Sequence, residues 1–507
     1  MAQQRSSKAA QAIQSHLRGK TGRGFWRSLD ELAETDDFRA FLEAEFPSLA
    51  PAQGGVDRRA LLKAMGASLA LAGLAGCDAA PDEAALPYVN APESTTPGKA
   101  KWYATAVTMA GYAQPALGKT YSGRPVKLEG NPDHPATHGA TDIFLQAALL
   151  GLYDPDRSQA PRHLGRSTSW SAFDTAMAER AGEIAARQGE GFRLLTGRVT
   201  SPTLRRQIDE LMRRWPKARW HAFEPIGEEG TLEAARLVFG APLDRHLHLE
   251  DAEAVVSLDA DPLGPGPRQA VHARRWSTRR LAYQGGDGEC RLFVAEPTPS
   301  ITGAMAGDRL IAAPARIAML AHAVAAELGI AEGSPPALSD HETAWVKAAT
   351  AALDAHRGRG LLGIGAHVAP EVQALGLLIN ERIGSFGATL RFTEPIAAIP
   401  PDGARSLQIL AEDMAAGHVT TLVMLGVNPA YSAPADLGFR DALGKVAFAV
   451  HVGDHYDETA ALSHWHLPLQ HELESWSDAR AADGTAGIIQ PRSEEHTSEL
   501  QSQNRIS

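Results

Sequence analysis

The sequence predicts an α/β fold in several domains, with parallel Rossmann-like sheets and a small β-rich amino-terminal region. Three observations carry this expectation. After about residue 169, short apolar runs alternate with stretches of helical period, the pattern of parallel strands joined by helices. Residues 102–156, by contrast, are short and turn-punctuated. The length of 507 residues allows about three domains at roughly 150 residues each.

Composition removes several function classes. Apolar residues make up 44% and charged residues 21%, the ordinary globular mix, so a largely disordered chain is excluded. A net charge of −11 argues against a general nucleic-acid binder. The two cysteines, Cys77 and Cys290, are too few for a cluster that needs about four thiolates, and they make no disulfide scaffold.

The amino-terminal elements read as an address. Residues 1–27 hold six Lys/Arg and no acid, and an acidic amphipathic stretch follows from Ser28 to Phe46. Arg58 and Arg59 then precede an uncharged run of 13 residues, Ala64–Gly76, too short to span a bilayer as a stable helix. Paired arginines before a short Gly/Ala-rich segment resemble a twin-arginine export signal. Leu74-Ala75-Gly76-Cys77 matches a lipobox, which makes Cys77 the lipidation candidate. Residues 1–76 are assigned to this signal. The expected location is the periplasmic face of the cytoplasmic membrane.

The β-rich region, 77–164, contains a hairpin turn at Gly123-Arg124-Pro125 that enters a strand Val126–Glu129, stopped by Gly130-Asn131-Pro132. Strands are then expected at 192–196, 219–223, 254–258, 291–296, 360–365, 420–426 and 446–452. Ser201-Pro202-Thr203 caps a helix that follows the first of these. The linear division places a first α/β domain at 165–303. A second, with a return segment, occupies 304–491.

Candidate chemistry is sparse. Gly363-Ile364-Gly365 and Gly426-Val427-Asn428-Pro429 follow strands and could bring backbone amides to a phosphate, although a structural turn is the more ordinary explanation of each. The i, i+2 pairs His464/His466 and His246/His248, with His471, have residues suited to a metal but no flanking cysteine. Asp457-Glu458 reads as a turn or a helix cap. Cys290 reads as a buried thiol at the beginning of a strand. Ser463 and Ser475 lack a nucleophile elbow. No catalytic residue and no metal ligand is assigned.

Several segments together carry a resemblance. GRPVKLEGNPDHPATHGATD (123–142), SLDADPLGPGP (257–267), the 363–387 loop and helix, LGVNPAYSAPADL (425–437) and LESWSDARA (473–481) resemble the molybdopterin oxidoreductase superfamily. With the long leader, the sequence is similar to one branch, the extended-Tat molybdopterin-like iron–sulfur subunit of bacterial alternative complex III. That resemblance implies a molybdopterin-oxidoreductase-like fold. It also implies membrane quinol-oxidising subunits and multihaem cytochrome c subunits as partners, with no nucleic acid.

Departures from the catalytic members matter as much. Those that carry a proximal cluster have three cysteines before the hairpin, where Lys101–Gly111 has none. Asp142 stands where their fourth cysteine would be, and Phe144 where a lysine lies between cluster and pterin. The resemblance then implies a cofactor-free portion, with Gly363, Gly365, Asn428 and Pro429 as relics of cofactor binding. Iron–sulfur clusters are expected in a further carboxyl-terminal half. Residues 492–507 read as a translated sequencing adapter, so the chain is expected to be cut short near Pro491. Two other readings stay open: an active molybdopterin oxidoreductase similar to polysulfide or thiosulfate reductases, and a structural lipoprotein without a redox role.

Overall fold

Alternation of extended and helical segments organises the computed structural model, which describes residues 96, 98–121, 123–330 and 337–491. All of these lie in one compact unit, Ser94–Ser507. Arg58, Arg59, Cys77 and the 492–507 tail fall outside the described residues.

The β-rich region is a three-stranded antiparallel sheet of β1 (Lys101–Met109), β2 (Tyr112–Tyr121) and β3 (Arg124–Gly130). Ala110 and Gly111 join β1 to β2 with φ of 47° and 79°, the left-handed pair that a two-residue hairpin demands. A Cβ at position 111 would lie 2.4 Å from the Arg198 carbonyl oxygen, so only glycine fits. β3 begins earlier than expected, at Arg124, and ends at Gly130. There a Cβ would lie 2.2 Å from the Gly139 carbonyl oxygen as the chain folds back. Asp142 caps the next helix, Ile143–Leu152, by accepting from the Leu145 amide at 2.7 Å. Leu145 packs with Val107, Ala116 and Leu128, whereas Ile143, Phe144 and Leu150 stay exposed.

Fifteen further strands follow in chain order among the described residues. β4 (Arg162–His163), β5 (Arg166–Ser167), β6 (Phe192–Thr196) and β7 (Arg219–Ala222) come first. Next are β8 (Asp244–Leu247), β9 (Ala254–Leu258), β10 (Arg291–Glu296), β11 (Asp308–Ile311), β12 (Gly360–Ile364) and β13 (Leu390–Thr393). β14 (Thr421–Leu425), β15 (Phe448–Gly453), β16 (Trp465–Pro468), β17 (Ser477–Arg480) and β18 (Ala486–Ile489) complete the set. Strands expected at 192–196, 254–258 and 291–296 are found at those limits, and the expected helix after Ser201 is Pro202–Arg214.

Two parallel sheets result. One has the order β11-β10-β9-β12, and the other β5-β4-β16-β15-β14-β6-β7, with β4 and β5 antiparallel at its edge. Val256, Leu258, Phe293, Leu320, Leu353 and Ile379 form the core on one face of the four-stranded sheet. Val255, Leu292, Val294, Trp276 and Leu361 form it on the other. Burial on both faces explains why these strands read as continuous apolar runs without alternation.

Strand pairing corrects the linear division into domains. The break drawn at 303/304 falls inside the four-stranded sheet, because β10 and β11 on either side of it pair in parallel. The break at 164/165 falls in the β4–β5 hairpin of the seven-stranded sheet. That sheet joins residues 192–222 to residues 421–468, with the four-stranded sheet inserted between them in sequence. Parallel neighbours need a crossover, and a crossover can hold a whole sheet. No helix among the described residues is long and apolar enough to cross a membrane.

β12 lies at the edge of its sheet, and a side chain replaces the missing strand. Asn380 accepts from the Leu362 amide at 2.9 Å and donates to the Leu362 carbonyl at 2.7 Å. Replacing Asn380 with Leu strands both backbone groups in a buried site, at about 1–3 kcal/mol each. The expected loss is ~2–4 kcal/mol of unfolding free energy by urea denaturation. A loss below ~0.5 kcal/mol would show that Asn380 is not a strand substitute.

Candidate functional site

The candidate site lies at the carboxyl ends of β9 and β12, where open parallel sheets place their ligands. β9 runs into Asp259-Ala260-Asp261, with Asp259 and Asp261 both left-handed at φ 54° and 40°. Asp261 accepts from the Thr302 amide at 2.9 Å and its hydroxyl at 2.6 Å, which anchors the Pro262–Pro267 loop to the helix Ile301–Ala304. His367, beyond β12, lies 2.9 Å from Asp259 Oδ2. The cleft between them has a volume of about 290 Å³. A second cavity of about 180 Å³ shares Glu228, Leu232 and Asp244 with it and adds Tyr112, Arg198 and Glu224.

An ion-pair network occupies the rim these cavities share. Arg268 donates to both oxygens of Glu228 at 2.9 and 2.8 Å, lies 4.0 Å from Asp244 and sits 5.4 Å over the Tyr112 ring. Burial opposes ionisation of Glu228, but the adjacent Arg268 outweighs it and holds the carboxyl below its usual range. Burial, then the Asp244 charge, push the Tyr112 phenol up to about 12. Arg245 donates to the Ile364 carbonyl at 3.3 Å, so another cation points at the β12 end of the cleft. The chemistry on offer is charge neutralisation inside a partly closed cleft. Beside it, Asp259 and His367 form a carboxylate–imidazole pair.

The glycine cradles do not converge. Gly363 pairs with Ser257 within the sheet, and the Gly365 amide already donates to the Leu258 carbonyl at 3.1 Å. A phosphate would have to break that bond. Asn428 and Pro429 lie at the end of β14 on the other sheet and line neither cavity. Asn428 donates to Glu458 at 2.8 Å and accepts from Thr459 at 2.7 Å, so its amide is committed within the chain.

At about 290 Å³ the cleft lies near the lower limit of drug-sized ligand sites, which run about 300–1,000 Å³. Glu228 and Arg268, which close the rim, come from segments far apart in sequence. Only the Gly264-Pro265-Gly266-Pro267 turn hinted that a strand-end loop leads into position 268.

The histidines have hydrogen-bond partners within the chain. His464 accepts from the Ala449 amide, and the Nδ1 atoms of His466 and His451 lie 3.0 Å apart. His466 Nε2 is 2.6 Å from the Ser158 hydroxyl. His471 accepts from the Leu473 amide as a helix cap, as Asp457 does from the Ala460 amide. His246 bonds Thr393, and His248 lies 3.1 Å from Glu250. Among the described residues, the one grouping with ligand spacing is His248, Glu250 and Asp251, where Arg275 already lies 3.4 Å from Glu250. Cys290 is half-buried just ahead of β10, and burial pushes its thiol pKa up.

Burial pushes His221, His272 and His466 down to about 4. Unfolded histidines titrate near ~6.5, so between those values the unfolded chain binds protons that the folded chain refuses. Stability therefore falls as pH drops through that window, by about 1.4 kcal/mol per pH unit for each such group. Urea titrations at about pH 7.5 and about pH 5 should show the drop, and His466→Gln should lessen it by up to one group's share. An unchanged slope in that variant would remove His466 from the account.

No family model matches the chain. The menaquinone reductase, molybdopterin-binding-like subunit of Nitratidesulfovibrio vulgaris is 23% identical over 422 residues, covering 72% of this chain and 58% of that protein. The solved structure of acetylene hydratase from Pelobacter acetylenicus aligns with a TM-score of 0.57 at 15% identity, covering 77% of this chain and 66% of that one. This chain thus spans less than two thirds of either. The described residues share the mixed α/β fold of acetylene hydratase, and the two likenesses together support the molybdopterin oxidoreductase superfamily.

Proposed function

We propose that this chain is the molybdopterin-like scaffold portion of a respiratory quinol:electron-acceptor oxidoreductase subunit, of the alternative complex III type. Its role is to hold position, and redox chemistry belongs to iron–sulfur clusters in a further carboxyl-terminal half. The observation that carries this reading is the closed rim. Glu228 and Arg268 neutralise each other at the cleft rim, and the Gly365 amide is spent within the sheet. The menaquinone reductase subunit supports the respiratory part of the reading, since its name places it in a quinone-linked enzyme.

The same proposal sets partners and place. Membrane quinol-oxidising subunits and multihaem cytochrome c subunits flank the scaffold. Arg58 and Arg59 direct twin-arginine export to the periplasmic face, and Cys77 is the candidate lipid attachment.

Metal analysis of the purified complex is the direct test. Molybdenum should be far below one per chain, with iron present in the assembled complex and not in residues 1–507 purified alone. Stoichiometric molybdenum would overturn the proposal in favour of an active molybdopterin oxidoreductase with a serine or aspartate metal ligand. A complex without iron would favour a structural lipoprotein.

A further inference from the structure

Charge is unevenly spread over this molecule. Residues 99–130 carry five cations, Lys99, Lys101, Lys119, Arg124 and Lys127, against one acid, Glu129, so their net charge is 5 − 1 = +4 in a chain of −11. Strand register brings three of the cations to one face of the small sheet. Trp102 lies opposite Lys119, and Lys119 opposite Lys127. Tyr121 lies opposite Arg124 across the hairpin tip. The Lys119 ammonium sits 5.7 Å over the Trp102 ring and 5.3 Å over the Tyr121 ring. The Arg124 guanidinium lies 5.2 Å over the Tyr153 ring.

Apolar surface is interleaved with those charges. Trp102 is 48% exposed, Val126 43% and Tyr121 37%. Two of these, Trp102 and Tyr121, flank one ammonium, and exposed rings grouped in this way point to something that covers them.

We propose that this end of the sheet is a docking face for an anionic phospholipid surface. Indole and phenol rings favour the depth of lipid headgroups, and lysines beside them attract anionic lipid. The cations are four lysines to one arginine, whereas protein interface cores are depleted in lysine. In sequence the candidate lipid attachment precedes the patch, since Lys101 follows Cys77 by 101 − 77 = 24 residues. A tether of that length spans at most about 80–86 Å fully extended, so an anchor at Cys77 would keep the patch near the bilayer. The inference deepens the membrane-face reading above. Vesicle binding is measured apart from metal content, so the two fail separately.

The test uses the full chain with Cys77→Ser, so that no acyl chain contributes. Its partition is measured onto phosphatidylcholine vesicles with and without phosphatidylglycerol. Binding should require the anionic lipid and weaken with salt. Lys119→Glu with Lys127→Glu should lower partition at least ~10-fold, on the order of one kcal/mol per lysine near the surface. Lys217→Glu with Lys347→Glu makes the same charge change on other elements and should leave partition within ~2-fold. Urea midpoints show that both double variants are folded. Trp102→Phe should remove part of the quenching by brominated lipid.

Equal losses in the two double variants would overturn the proposal, as would no loss in the Lys119/Lys127 variant or quenching that ignores Trp102. A Lys119/Lys127 variant that keeps vesicle binding but loses co-purifying subunits would assign the face to a protein and likewise overturn it.

Discussion

Arg268 is the point on which the arrangement turns. It stands at the start of the helix Gln269–Gln284, grips Glu228 at the start of another helix, approaches Asp244 of β8 and covers Tyr112 of β2. Three separate pieces of backbone are thereby held to one guanidinium. A charge withdrawn from water is tolerated only when its partners stay in place, so each of these contacts depends on the others. The cleft beyond β9 and β12 takes its shape from that requirement. Its rim is set by side chains that neutralise one another, and a ligand would have to compete with them.

Much of the fold was legible because buried parallel strands announce themselves. Phe192–Thr196, Ala254–Leu258 and Arg291–Glu296 are short, mostly apolar runs, and the structure begins and ends the strands there. β8 and β13 were missed, since Asp244–Leu247 and Leu390–Thr393 are mixed in polarity and pair only with each other, across nearly 150 residues of sequence. The seven-stranded sheet shows the same limit. Nothing local in Thr421–Leu425 says that its neighbour is Phe192–Thr196. Non-local pairing is a property of the whole chain, and pattern alone carries little of it.

The site was less legible than the fold. Glycines after strands were visible, but whether their amides are free depends on a bond such as Gly365 to Leu258, which no motif encodes. The histidine pairs looked equivalent in sequence. In the structure His464 and His466 turn to different partners, His466 meeting His451 from the neighbouring strand. Charge partners such as Glu228 and Arg268 lie forty residues apart and have no spacing rule to reveal them. Fold and function separate here in the usual way: the architecture follows from burial, whereas chemistry depends on a few side chains placed by it.

Asn380 bears on how such molecules associate. An outermost strand normally offers a row of open amides and carbonyls, and a strand from another chain can add itself there. On β12 that row is closed from within. Asn380 takes the amide and carbonyl of Leu362, and Ser385 and Thr389 both donate to the carbonyl of Gly360. This border of the four-stranded sheet is thus sealed against strand exchange. A crowded chain gains no foothold there for edge-to-edge polymerisation, and a strand-adding neighbour would have to use a different edge.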